Sequence, residues 1–240
     1  MQINIKNSAE FERLLEGLAH EIVVANIHFK LRQDLVAEIK TYEREYNQSL
    51  AFWSLTFDAH LDATWFRLCR IYDQNSSSLN LRNWLETIQE NLHIFDPENF
   101  KEKLKDNPLS DSLELTAEKP NAEQLDKDIQ QVSEGNPLVK KLLMLRNNVF
   151  AHKSSKNVIR QRDAFSDYPL SYGEIKQLLD ESVAILNRYS GLFISREYSV
   201  QVIRHDDYKF ILKTLKTQID LREAEIQKYK NNYDASNSPA

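Results

Sequence analysis

Scarcity of turn-forming residues is the feature that most restricts this chain. Only four glycines and six prolines punctuate 240 residues. Tight turns draw on both types. A chain short of them, and rich in good helix formers, has to be built from long helices with few connections. Apolar residues at 41% and charged residues at 28% support a real core and argue against a disordered chain. An all-α bundle follows, large enough for one large domain or for one domain plus an appendage.

The helices can be placed from periodicity and start signals. Asn7 with Glu10 makes a start of the capping-box type. From Ser8 to about Gln48 apolar residues recur at helical spacing (Phe11, Leu14, Leu15, Leu18, Ile22), with a break expected around Asn26–Arg32. A second, aromatic-rich helix reads from Leu50 to Tyr72, closed by the polar turn DQNSSS at 73–78, where Asp73 is expected to cap. A third runs from Leu79 to Phe95, with Leu81, Trp84, Leu85, Ile88 and Leu92 on one face. The acidic stretch 96–135 reads as mobile loop with one or two short helices. Pro137 can open a helix reaching about His152. Ser171 and Glu174 form a capping box for another, to about Tyr189, and 194–203 alternates like a short extended piece. A charged C-terminal helix closes the chain. The expected organisation is a helical domain over 1–200, a helix over 201–233 packed on the domain or on a partner, and a disordered tail over 234–240.

Net charge is −5, which by itself argues against a general nucleic-acid binder. The average conceals an island. Between Lys140 and Arg162 stand Lys140, Lys141, Arg146, Lys153, Lys156, Arg160 and Arg162, with no Asp or Glu. That window carries +7, so the rest of the chain carries −12. A block of this kind attracts phosphates; the plainer reading is a solvated basic loop that answers the acids of 96–135.

Inside the island lies LRNNVFAHK, Leu145 to Lys153. On a straight helix Leu142, Leu145 and Val149 make a narrow apolar stripe, with Arg146 about 60° to one side and His152 about 60° to the other. Polar groups held at such a border need pairing or a use. Asn148, four residues before His152, lies within reach of its ring and is a candidate to orient it. Arg and His suit phosphodiester chemistry: an imidazole exchanges protons near neutrality, and a guanidinium fork fits phosphate oxygens. With RNA the 2′-hydroxyl supplies the nucleophile, so no metal or cofactor is required. No metal-ligand spacing, Walker loop or nucleophile elbow is visible. A similar spacing, Arg13 with His20, has no basic surroundings and reads as core edge.

The motif resembles the signature of the HEPN superfamily: Arg, a polar residue that is often Asn, a short gap, then His at a helix end. The resemblance is strongest to the bacterial abortive-infection (AbiU-type) HEPN domain, in which a helix ending like FRLCRIYD, a Ser-rich turn and a helix like SLNLRNWLETI precede the RN…AH helix. It covers roughly residues 45–190. It implies a helical bundle, usually dimeric, whose paired motifs form a metal-independent ribonuclease site in phage defence, toxin–antitoxin pairs or RNA processing; some members have lost activity. By the resemblance Arg146 stabilises the phosphate, Asn147 holds the polar position and His152 is the acid–base. The family gap between Arg and His is most often four residues and here it is five, so Asn147 and Asn148 both stand as candidates for the polar role.

The expectation is therefore a HEPN-like bundle with a long charged C-terminal helix that cleaves RNA, with Arg146, His152, Asn147 and Asn148 catalytic and Lys153, Lys156, Arg160 and Arg162 contacting RNA. Its partners would be RNA, a second copy and an antitoxin or defence protein. The alternative is a non-catalytic module of the same fold that binds RNA or a protein through 140–162. One cysteine, Cys69, offers no disulfide and reads as buried and inert. No leader-like start and no membrane-spanning run are visible, so the cytoplasm is expected. Asp58 and Asp62, flanking His60, read as a solvent flank. Trp53, Trp65 and Trp84 read as core before base-stacking platforms. His20, His28, His93 and His205 suggest no partners.

Overall fold

A computed structural model describes residues 3–108, 118–150, 170–201 and 206–236, with side chains omitted at 149–150 and 234–236. The described residues are mostly helical, and no strand occurs among them. In chain order the helices are α1 (Ser8–Ala37), α2 (Glu43–Asn47), α3 (Leu50–Ile71), α4 (Leu81–Glu90), α5 (Pro97–Leu104), α6 (Ala122–Gln131), α7 (Pro137–Leu145), α8 (Tyr172–Ile194) and α9 (Tyr208–Ser236). A 3₁₀ turn, Leu92–Phe95, follows α4, and a π turn, Arg146–Phe150, continues α7. The chain divides into two compact units, Met1–Asn26 with Ala63–Val200, and Ile27–Asp62 with Gln201–Ala240; α1 and α3 contribute to both.

In the first unit Phe11 of α1 stacks on Trp84 of α4 with centroids 5.7 Å apart, and takes Phe193 of α8 edge-on at 4.8 Å. Leu15, Leu18, Ile22, Leu68, Leu142, Leu145 and Leu178 complete the interior. The expected face of α4 is buried at Leu81, Trp84, Leu85 and Ile88. Leu92 drops out of it because the helix ends at Glu90 and continues as 3₁₀. Beneath α8 the buried Asp128 accepts hydrogen bonds from Tyr189 Oη (2.7 Å) and Gln124 (2.9 Å) and pairs with Arg188, so the charge is matched where water cannot reach it. The second unit has its own core of Leu35, Tyr42, Tyr46, Trp53 and Leu212, with Leu31, Phe57 and Tyr208 packed against it. Tyr46 meets Trp53 edge-on at 4.8 Å and donates its hydroxyl to the Leu35 carbonyl at 2.8 Å.

Local chemistry explains where the helices depart from expectation. α1 runs through Asn26–Arg32 unbroken, because the Asn26 amide donates back to Ile22 O at 2.9 Å instead of competing for the backbone; the break comes after Ala37. Its start keeps the Asn7 cap on Glu10 N (3.0 Å), while the Glu10 carboxylate reaches one residue further back, to Lys6 N (2.7 Å). Among the described residues of 96–135 there are two helices, set by Pro97 at a first turn and by Asn121 capping Gln124 N, and fastened through the buried Phe100, Leu104 and Leu125. The Ser171–Glu174 capping box is present, and α8 continues past Tyr189 because Phe193 and Ile194 extend its buried stripe. Ser195, in the left-handed conformation at φ 50°, ends it. Residues 196–201 form neither helix nor strand: the Asn187 side chain takes both backbone groups of Tyr198, at 2.8 and 3.2 Å, where a neighbouring strand would otherwise sit.

Candidate functional site

α7 starts at Pro137 with Asn136 accepting from Leu138 N at 2.9 Å, and buries Val139, Leu142, Leu143 and Leu145. After Leu145 the hydrogen bonding widens to the i→i+5 pattern over RNNVF. Each residue of a π turn sweeps a smaller angle than in an α-helix, so the straight-wheel positions assumed for this segment do not carry past Arg146. Arg146 itself stays at the border of the buried face, with 30% of its side chain exposed.

The guanidinium is held on two sides. Nε donates to Asn147 Oδ1 at 3.1 Å, and Nη1 donates to Asp73 Oδ1 in a short ion pair. Asp73 is fixed in turn by the 73–78 loop: it accepts from Gln74 N (2.8 Å), Asn75 N (3.3 Å) and Ser78 Oγ (3.0 Å). That loop is fastened to its surroundings. The Gln74 amide reaches Val132 O at 3.1 Å and receives Arg82 at 3.2 Å, while the buried Asn80 and Asn83 both donate to Asn75 O, at 3.1 and 2.8 Å. Burial pushes the Asp73 carboxyl up, but the hydrogen bonds from Arg146 and Ser78 and the Arg146 charge outweigh it and leave the group below its ordinary value. Asp73 therefore caps its turn, as its position suggested, and also clamps Arg146, for which the sequence carries no local signal across 73 positions.

Asn148 donates to Met144 O at 2.7 Å and Asn147 accepts from Arg146, so both asparagines are engaged on their own helix. His152, Lys153, Lys156, Arg160 and Arg162 lie outside the described residues, as does His205. Folding also modifies the charge island. Lys141 pairs with Glu174 at 2.7 Å and Arg146 with Asp73, whereas Lys140 is exposed. A window free of acids in sequence is thus not free of them in space.

Beside the 73–78 loop, within the first unit, opens a cleft of ≈ 310 Å³ bordered by Gly17, Glu21, Arg70 and Asp73. Glu21 meets Arg67 at 2.9 Å and Arg70 at 3.5 Å, so the opening is ionic on one wall. Cys69 is buried, and burial pushes its thiol up to about 12 although the Arg146 charge pulls the other way, which leaves it inert.

The remaining candidates separate clearly. Trp53, Trp65 and Trp84 are buried core, unavailable to bases. Asp58 and Asp62 are exposed. Arg13 and His20, expected at a core edge, are both exposed, because Phe11, Leu15, Leu18 and Ile22 turn the opposite side of α1 inward. His28 and His60 meet Nδ1 to Nδ1 at 2.9 Å, a pairing across 32 positions that periodicity does not reveal, and burial lowers the His60 pKa. His93 is exposed. Among the described residues no group of three or more His, Cys, Asp or Glu could hold a metal ion, and no helix is long and apolar enough to cross a membrane.

No curated protein and no solved structure matches this chain. One family model does, HEPN_AbiU2, described as AbiU2, over residues 8–215, a span that contains the 73–78 loop, α7 and the whole LRNNVFAHK segment. With helices and no strand among the described residues, the chain belongs to the AbiU2 family of HEPN-type abortive-infection domains.

Proposed function

We propose that this protein is a metal-independent endoribonuclease acting in bacterial phage defence or as a toxin component. The observation that carries the reading is Arg146: a guanidinium just after α7, partly open to solvent and held by Asp73 and Asn147, within the span matched by an abortive-infection HEPN family. Those two contacts use two of its five N–H groups, which leaves donors for a phosphate. In the reaction the 2′-oxygen attacks the adjacent phosphorus, its proton passes to a base, the P–O5′ bond breaks, and the departing 5′-oxygen takes a proton. The products are a 2′,3′-cyclic phosphate and a 5′-hydroxyl. Arg146 neutralises the charge that builds on the non-bridging oxygens, and His152 handles a proton. Two proton transfers call for two such groups. A homodimer that brings the Arg and His of both chains to one groove supplies two imidazoles, one to take the 2′-hydroxyl proton and one to protonate the departing 5′-oxygen. Lys153, Lys156, Arg160 and Arg162 hold the flanking backbone.

A second reading is favoured by the Arg146–Asp73 and Lys141–Glu174 pairs, which neutralise two of the island's cations. In this reading the fold is a non-catalytic module that binds RNA or a partner protein. Purified protein with labelled RNA in excess EDTA separates the two. Cleavage to a 2′,3′-cyclic end, lost in Arg146→Ala and in His152→Ala while the helical circular dichroism persists, supports the nuclease. Binding without product supports the module, and cutting at the parent rate by both variants removes the site assignment.

A further inference from the structure

The cleft beside the 73–78 loop combines an apolar lining with an ionic wall. Leu18, Ile71 and the half-buried Leu79 supply the first, and Glu21, Arg70 and Asp73 the second. At ≈ 310 Å³ it has the size of a small-ligand site, a range that begins at about 300 Å³. Gly17 keeps it open. Glycine weakens the interior of a helix, yet Gly17 stands well inside α1, and a Cβ there would come within 3.1 Å of Leu79 Cδ2. Asp73 lines the cleft and also pairs with Arg146, so a single side chain links this opening to the guanidinium after α7. On the ionic wall Glu21 Oε2 is buried and meets Arg67 at 2.9 Å, while Oε1 lies 3.5 Å from Arg70 Nη1, at the long end of a hydrogen bond. The Arg70 side chain is 67% exposed. A donor fork and a carboxylate oxygen therefore stand side by side on this wall.

We propose that this cleft takes the RNA base next to the phosphate at Arg146, and that the base is guanine. It rests on the reading in which Arg146 meets the phosphate. Proteins that read RNA sequence take an unstacked base and recognise its Watson–Crick and Hoogsteen edges. At one corner of guanine, N7 and O6 accept hydrogen bonds while the neighbouring N1–H donates one. Arg70 can fork to N7 and O6, the commonest specific contact of arginine with a base, and Glu21 Oε1 beside it can take N1–H. Adenine reverses both polarities at that corner: its amino group would face Arg70, and a bare N1 would face the carboxylate. Cytosine reverses them in the same way. Uracil has the right polarity, O4 beside N3–H, but no N7, so it ranks between. The apolar lining sets these contacts apart from water, where a polar group left without its partner costs most.

Calorimetric titration of the full chain with the 3′- and 5′-monophosphates of guanosine, uridine and adenosine tests the assignment. A guanine nucleotide is expected to bind about tenfold or more tighter than its adenine counterpart, with the uracil compound between them. Arg70→Gln, at an exposed position, should remove most of that preference and leave the circular dichroism unchanged. Gly17→Leu, which fills the cleft from α1, should weaken the guanine nucleotide while helix content holds. Arg146→Ala should weaken all the nucleotides alike, because a phosphate contact carries no base information. Guanine preference in a chain that cuts no RNA supports the cleft and removes the nuclease reading. RNA cut without regard to guanine, at the same bonds by parent and Gly17→Leu, overturns the cleft and leaves the nuclease reading standing. Equal affinity for guanine and adenine nucleotides, no binding of either, or a preference that both Arg70→Gln and Gly17→Leu leave intact also overturns it.

Discussion

Asp73 does the work of two residues, and its removal should show both. Asp73→Asn keeps the shape of the side chain but removes the charge facing Arg146 and weakens the loop contacts to Gln74, Asn75 and Ser78. A loss of about 1–3 kcal/mol at neutral pH is expected in urea unfolding. The sign with pH follows from the lowered carboxyl. The folded pKa lies below the unfolded one, so the stabilisation is complete above the unfolded carboxyl pKa of about 3.9 and is lost as pH falls through the folded value. Parent and Asp73→Asn curves should therefore converge in acid; a gap that stays constant into strong acid would exclude the ion pair as its source. Asp128 gives a steeper case. Asp128→Ala strands Tyr189, Gln124 and Arg188 around an empty acceptor site, and a cost of about 3–5 kcal/mol is expected in the same measurement. Residue types and near neighbours were legible here: the cap at Asp73 and the inert Cys69 could be read directly. The pairings of Arg146 with Asp73, of Asp128 with Arg188 and of His28 with His60 could not, because each spans more than thirty positions and leaves no periodic trace.

At the scale of elements, the helices with strong start signals were the legible ones. Ser171→Ala should cost about 1 kcal/mol, the usual value of an N-cap, whereas Glu174→Gln, which keeps much of the cap and weakens a half-exposed pair with Lys141, should cost less than about 1 kcal/mol; urea midpoints check both. Helices 97–104 and 122–131 were harder to read, since two or three buried anchors amid acids look like loop until packing is known. The π turn at Arg146–Phe150 was not legible, because periodicity assumes an α-helix. It also bears on the motif. Five residues separate Arg146 from His152 where the HEPN pattern most often has four, and a π turn is the form in which a helix takes up one added residue. Deleting Asn148 should return the segment to α-helical bonding at little cost to stability, measurable by amide exchange over 142–150.

For the whole molecule, helix content and class could be read from the shortage of glycine and proline, but the division into units could not. It groups 27–62 with 201–240, stretches far apart in sequence. Because the second unit has its own core, Trp53→Ala should raise amide exchange across α2 and residues 208–219 while α4 and α8 stay protected. Equal loosening everywhere would mean that the two units unfold as one. The family match ends at residue 215, and α9 loses its packing soon afterwards. The last turns of α9 are therefore a detachable addition to the matched framework: a chain cut back to residue 224, which keeps the pairs of Arg44 with Asp220 and Glu223, should keep its fold and whatever chemistry that framework carries.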